Sequence, residues 1–447
     1  MLRCVTFCNV LVFVALVAAA TAEAQPESGE LLKVVVVSRH GVRTPLETFD
    51  DLNRWTQRPG GWPQAWNPTT WRHRCPGDLT QVGTELATLM GSYYHSRLVA
   101  DRLFSAARCP ESKTVFIRAD VDERTQATGE AIAQGFARGF PSPCQPPVSV
   151  IESATNIDPL FHPTSAGMVC PLGASQAMQS IVARLPPGGF AALDKLHGVA
   201  IGAMQDVLQC CQREICAPKA SNVVRPCRLT DRPTRVTVAG DKVKMEGAIG
   251  IASTAAEIFL LEYANGFPPN AVGWGAVDVP KMASLLTLHN LQFDYMERTK
   301  YIAQRQGSML MRAVLETLLG GPFAGTMSGP MPPAEAKFVA FVGHDTNIAN
   351  LAALLGTDWN ASEQLPDKTA PAGALVFELR EHTGSRYVVA YYVAQTVDQL
   401  RNRTPIDTST PPHIAALPLR CATRPGGNAC ALSQFLGLVK LEPACLK

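Results

Sequence analysis

The chain has 447 residues, 46% of them hydrophobic and 17% charged, with 40 basic against 38 acidic side chains. That apolar share excludes a disordered chain or a fibre, and the length suits two or three structural units of roughly 100–200 residues each. A formal net charge of +2 argues against the broad basic surface of a nucleic-acid binder while leaving room for a local basic pocket.

Met1 to Ala24 reads as a secretory signal peptide, with Arg3 at its start, an apolar run from Val10 to Ala20, and Ala22-Glu23-Ala24 as a small-x-small cleavage site before Gln25. The run is short for a bilayer span, which needs about 20 residues. No later segment is long and apolar enough for one, so a soluble protein that is secreted or periplasmic is expected. Cleavage removes Arg3 together with Glu23, which leaves the net charge unchanged, and takes Cys4 and Cys8 from the 13 cysteines. Export explains the eleven that remain: without a C-x-x-C pair they read as disulfide partners in an oxidising compartment, with one left over.

Leu31 to Ser38 is a continuous, β-branched run, the pattern of a strand buried on both faces of a parallel sheet. Thr48 to Asp78, with four tryptophans and several prolines and glycines, reads as a long irregular loop of the kind that forms lids or rims. Thr114–Ala119 and Phe338–Val342 repeat the strand pattern, followed by helical patterns at Thr125–Phe140 and Thr346–Leu355. Strand, loop and helix in this order predict an α/β architecture. Between Cys170 and Arg298 helical patterns dominate, at Ser175–Leu185, Ala191–Leu208, Glu246–Ala264 and Lys281–Tyr301, around a Pro/Arg/Cys-rich loop at Cys210–Arg235. Ala374–Arg380 and Tyr387–Ala394 predict a hairpin at the sheet edge.

Ligands of open α/β sheets bind beyond the carboxyl ends of the strands, against helix N-termini that favour anions. The first strand ends in Arg39-His40-Gly41-Val42-Arg43-Thr44-Pro45, the second in Asp120-Val121-Asp122-Glu123-Arg124-Thr125, and the third in Gly343-His344-Asp345-Thr346. Three arginines, two histidines and a carboxyl are therefore expected to meet in one crevice. Arginine's planar fork suits phosphate oxygens, and Gly41 would let the backbone approach an anion. Singly, His40 is as compatible with a packed histidine, Arg124 with a surface ion pair and His344-Asp345 with an ordinary helix start. Together, at three corresponding strand ends, they supply a nucleophile, charge clamps and a proton donor, which suffices for phosphoryl transfer without a metal.

The motif R-H-G-x-R-x-P at Arg39–Pro45, with Asp120–Thr125, Glu257–Leu261, Leu288-His289-Asn290 and Gly343–Asn347, resembles the histidine acid phosphatases, branch 2 of the histidine phosphatase superfamily. Within them it is similar to the bacterial periplasmic phytases and glucose-1-phosphatases, in order over nearly all of 31–447. The resemblance implies a phosphoglycerate-mutase-like α/β domain, a mainly parallel sheet flanked by helices, at 25–169 and 299–447. It also implies an inserted, mostly helical substrate domain at 170–298. His40 is implied as nucleophile, Asp345 as the acid that protonates the leaving alcohol, and Arg39, Arg43, Arg124 and His344 as the phosphate ligands, with no metal and no cofactor. A monomer acting on a small phosphate ester, with no nucleic acid or membrane as partner, is the expectation.

Thr44, Leu46, Glu47 and Glu257 are the implied substrate-pocket residues. Where phytases of this group carry a Thr-Lys pair after the motif's proline, this chain has Leu46-Glu47. The leucine resembles the glucose-1-phosphatases, and the glutamate would repel a polyphosphate. The rest reads more like the phytases, and Arg72, His73 and Arg74 are candidates to restore positive charge, or are merely solvated loop residues. Phytate is thus the favoured substrate, with sugar-phosphate hydrolysis the alternative. Two other classes are opposed by specific residues. An intracellular mutase-like transferase conflicts with the signal peptide and the Val42–Pro45 continuation, and a binding protein without turnover conflicts with His40 and Asp345. The resemblance also implies disulfides Cys109–Cys144, Cys170–Cys445, Cys216–Cys227 and Cys421–Cys430, leaving Cys75, Cys210 and Cys211. A Cys75 bridge to one of the adjacent pair is expected to tie the Trp-rich loop to the helical domain.

Overall fold

Leu31 to Val37 lie inside strand β1, Glu30–Arg39, buried without a break from Lys33 onward. The computed structural model describes residues 29–63, 76–151, 157–165, 170–216, 227–240, 242–321, 329–359, 368–422, 424 and 426–446. The signal-peptide reading at 1–24 falls outside these, as do Arg72, His73, Arg74 and Cys75.

In chain order the further strands are β2 Val115–Ala119, β3 Val148–Ser149, β4 Arg235–Ala239, β5 Lys242–Glu246, β6 Phe338–Gly343, β7 Ala374–His382, β8 Ser385–Ala394, β9 His413–Ala416 and β10 Ala429–Ala431. Eight of them form one sheet in the order β10-β8-β7-β1-β6-β2-β3, with β9 also on β8. Pairing is parallel from β1 through β6 and β2 to β3, and antiparallel from β1 through β7 to β8 and its two short neighbours. The β7–β8 hairpin forms as expected and lies directly beside β1, with β9 and β10 continuing the sheet beyond it.

Alternate residues of the central strands feed two cores, which is why their sequences read as unbroken apolar runs. Val34, Val36, Ala340 and Val342 face the helices Gln81–Ala100 and Glu123–Ala137. Val35, Val37, Val339 and Phe341 face Lys300–Leu319 and Asp345–Leu355. A third cluster joins the helices Ala174–Val182, Gly189–Leu196, Gly198–Leu208, Ala248–Ala264 and Val279–Met296. Two expected helices are split. Ala191–Leu208 breaks at His197, and Lys281–Tyr301 breaks at Glu297–Thr299, where extended Thr299 caps the next helix.

The Trp-rich segment is anchored where it is described. Trp62 is fully buried in the helical cluster, stacks on Phe259 at 5.7 Å and donates its indole N–H to Glu262 at 3.0 Å. Disulfides join Cys109–Cys144, Cys170–Cys445, Cys216–Cys227 and Cys421–Cys430, the pairs implied by the resemblance. The expected Cys75 bridge is corrected: Cys210 and Cys211 are bonded to each other, so neither sulfur remains for Cys75. Among the described residues no helix is long and apolar enough to cross a membrane.

Candidate active site

Register places the chemistry. In the parallel ladders Arg39 pairs with Gly343 and Ala119 with Val342, so β1, β6 and β2 stop at one level. The backbone continues that alignment, with His40 N–H donating to Gly343 at 2.9 Å and Asp120 N–H to Val342 at 3.0 Å. His40, Asp120 and His344 therefore leave neighbouring strands side by side, and the His40 and His344 rings meet edge-on with centroids 5.7 Å apart.

His40 is buried, and its Nδ1 lies 2.9 Å from the Gly41 carbonyl. A carbonyl only accepts, so Nδ1 carries the proton and Nε2 is left with its lone pair. Burial, and then Arg39, Arg43, Arg124 and His344, hold the imidazole well below its ordinary value, which keeps it neutral in acid. Gly41 does not serve an anion as expected. Its N–H donates to Thr128 Oγ1 at 2.9 Å, and its missing side chain is where the Gly83 backbone of the adjacent helix passes.

The arginines divide into two kinds. Arg39, with no exposed surface, pairs through Nη2 with Glu257 and, at 3.0 Å, with Asp345, while Nη1 donates to the Thr369 carbonyl. Burial opposes its charge, but Glu257 and Asp345 outweigh burial and raise its pKa. Arg43 and Arg124 are less committed. Arg43 donates to the Thr44 carbonyl at 2.9 Å and Arg124 to Asp122 at 2.7 Å, and the Nε–H of all three arginines is buried with no hydrogen-bond partner among the described residues. Burial, with Arg39 and Arg124, lowers the pKa of Arg43 to about 10, so it remains a cation in acid. Unpartnered buried donors beside a neutral histidine are what a phosphate dianion would satisfy.

Glu257, read from sequence as a pocket carboxyl or an exposed helix residue, is buried. Besides Arg39 it takes Lys368 Nζ at 3.2 Å, with His289 at 3.6 Å. Burial would raise its pKa, but Arg39, Lys368 and His289 hold it well below the carboxylate range. Asp345 opens the helix Asp345–Leu355, whose N-cap is His344. Burial pushes its pKa up, but Arg39, His289 and Arg43 together outweigh burial and lower it, favouring the carboxylate in the free protein.

His344 Nε2 donates to Asp120 Oδ2 at 2.7 Å, and the same oxygen accepts His162 Nε2–H at 2.7 Å. Among the described residues this trio alone has donor atoms close enough to hold a metal, all within 4.8 Å of one another. Both imidazole protons are already satisfied by the carboxylate, and the arginines alongside make the pocket cationic. Sequence reasoning quoted Asp120 without giving it a role and passed over His162 and Lys368. The signal for Asp120 was its place at a strand end; His162 and Lys368 lie in loops without periodicity.

Of the implied pocket residues, Glu257 lies inside the Arg39 cluster, and Thr44, Leu46 and Glu47 follow the end of β1. Thr44 is buried and accepts the Gly77 N–H at 2.9 Å, whereas Leu46 is 52% exposed. Glu47 lines a cavity of about 770 Å³ with Asp51, Arg54, Arg232, Arg235, Lys244 and other residues of the helical region. Burial raises its pKa, partly offset by Arg43.

A doubly covered α/β sheet ending in a neutral, arginine-ringed histidine defines a phosphatase site rather than a passive anion trap. The chain belongs to the histidine phosphatase superfamily (branch 2), whose family model matches residues 30–173 and 228–393, and it is a phosphatase. It is 36% identical over 433 residues to the phytase AppA of Escherichia coli, covering 95% of each chain. It is 27% identical over 412 residues to a glucose-1-phosphatase of Providencia rettgeri, covering 90% of this chain and 89% of that one. The Hafnia alvei phytase in complex with myo-inositol hexakis sulphate superposes with a TM-score of 0.81 at 34% identity, over 95% of this chain and 100% of that one.

Proposed function

We propose that the chain is an exported acid phosphatase that hydrolyses phosphomonoesters, phytate foremost, through a phosphohistidine at His40. The observation that carries this reading is the fixed tautomer of His40 beside the unpartnered donors of Arg43 and Arg124. Nε2 attacks phosphorus as the ester P–O bond breaks, and the departing alkoxide takes a proton from Asp345. Water then attacks the phosphohistidine, giving its proton to Asp345, and phosphate leaves with His40 neutral again. Arg39, Arg43, Arg124 and His344 hold the three phosphoryl oxygens and balance the charge that develops on them. Because Arg39, with His289 and Arg43, favours the Asp345 carboxylate in the free protein, the acid must gain its proton in the complex. A bound phosphate shares the arginine's field and raises the carboxyl toward the acid working range.

Residues 170–298 form the inserted substrate domain in this reading, supported by Glu257 and His289 reaching the Arg39 cluster from its helices. Export through the 1–24 signal is supported by the five disulfides. Phytate as first substrate is supported by the likeness to the phytases. Sugar-phosphate hydrolysis is favoured by one feature, the Leu46-Glu47 pair at the mouth. A panel of phytate, glucose 1-phosphate and p-nitrophenyl phosphate across the acid range tests both. The highest kcat/KM is expected on phytate; preference for glucose 1-phosphate would replace it with the second reading.

A further inference from the structure

His162 lies in the described stretch 157–165, between the sheet and the helical region, and no part of the reaction above uses it. It shares one carboxylate oxygen with His344. Asp120 is fully buried; its Oδ1 accepts the Val121 N–H at 2.8 Å, and its Oδ2 accepts both Nε2–H groups. The Nε2 proton of His344 is thus committed to Asp120, and its other nitrogen, Nδ1, faces Arg124 Nη2 at 3.5 Å. To donate to a phosphate oxygen placed between them, Nδ1 must carry a proton as well. His344 then holds phosphate only as an imidazolium, with Asp120 as its counter-ion.

We infer that His162 is a positioning residue for the phosphate site: by placing a second imidazole on the Asp120 oxygen that anchors His344, it sets the pH above which His344 lets phosphate go. The inference rests on the reading of His344 as a phosphate ligand. The two rings lie 5.2 Å apart, and the His162 side chain is 37% exposed, so it exchanges protons with solvent while its charge is felt at His344. The surrounding charges are Asp120, Asp122 at 3.5 Å from His344 Nε2, Arg124 on the adjoining helix, His40 edge-on, and Asp158, which is tied to buried Arg118 at 2.8 Å. One carboxylate charge therefore serves two imidazoles. A protonated His162 draws on it and favours loss of the His344 proton. Consistently, burial lowers the pKa of His344 first, Asp120 opposes, and His162 and Arg124 lower it further. For His162 burial also acts downward, but Asp120, Asp122 and Asp158 outweigh it and raise the value, so it is charged through the acid range.

The test follows the pH dependence of kcat/KM on p-nitrophenyl phosphate, together with inhibition by inorganic phosphate, in His162→Gln, His162→Ala and His162→Arg. Without the cationic ring, in the Gln and Ala variants, the alkaline limb of both profiles should move up by about one pH unit. His162→Arg keeps the charge and should leave the limb at or below its original position. A hydrogen bond of purely structural value would lower the plateau in all three variants without moving the limb. An unmoved limb in His162→Gln and His162→Ala, with His344→Ala still weakening phosphate inhibition, overturns the inference. If His344→Ala leaves phosphate inhibition unchanged, the phosphate-site reading beneath it falls instead.

Discussion

The strand-end corner and the cavity lined by Glu47, the mouth in the proposed reading, are made of the same residue types, held in opposite ways. At the corner Arg39, Glu257 and Lys368 are buried, and each charge is fixed by another group or by backbone. At the mouth Arg235 and Lys244 pair with Glu246 while 69% and 72% exposed. Desolvated charges interact strongly and tolerate no loss of a partner, whereas exposed pairs are screened and weak. In the proposed reading the corner carries the reaction, and the cavity lined by Glu47, with cations and carboxylates interleaved around about 770 Å³, selects the ester.

The contrast can be broken first at the nucleophile. His40→Ala should lower kcat by about 10³-fold or more, since it removes the nitrogen that takes the phosphoryl group. Glu257→Ala comes next, and it tests whether the corner is one unit. Removing the carboxylate strands Arg39 and Lys368, so a loss of about 3–5 kcal/mol in stability is expected, measured by urea unfolding. A cost like that of a surface pair would show that the corner is as loosely held as the mouth.

Asp345→Asn should separate acid catalysis from phosphate binding. An alkyl ester such as glucose 1-phosphate needs its leaving oxygen protonated, so kcat should fall by about 10²-fold or more. On p-nitrophenyl phosphate, whose leaving group is stable as an anion, the fall should be much smaller. Equal losses would remove Asp345 as the acid. The smallest effect belongs to the mouth. Glu47→Lys should raise kcat/KM on phytate by about three- to tenfold, less at high salt, and leave p-nitrophenyl phosphate unchanged.

The corner was legible because it is built on strands that declare themselves. Leu31–Ser38, Thr114–Ala119 and Phe338–Val342 are buried on both faces, so β-branched runs marked them, and their ends marked His40, Asp120 and His344. The helix Gln81–Ala100 left little signal because it is covered on more than one side, with Tyr93 and Tyr94 in successive positions both buried. The β4–β5 hairpin left none because its alternation is mostly charged and exposed. His162 and Lys368 became partners of the site only through long-range packing, which carries no local pattern. The correction at Gly41 has the same origin: its glycine answers to a helix 42 positions further on, invisible in the motif itself.

The central claim is that His40 Nε2 takes the phosphoryl group. Rapid acid-free quench of the protein turning over a ³²P-labelled phosphomonoester, followed by peptide mapping, measures it directly. An alkali-stable, acid-labile phosphate is expected on the peptide that carries His40, formed in the first turnover and absent from His40→Ala. Unlabelled protein during steady turnover, or label retained in His40→Ala, would contradict it.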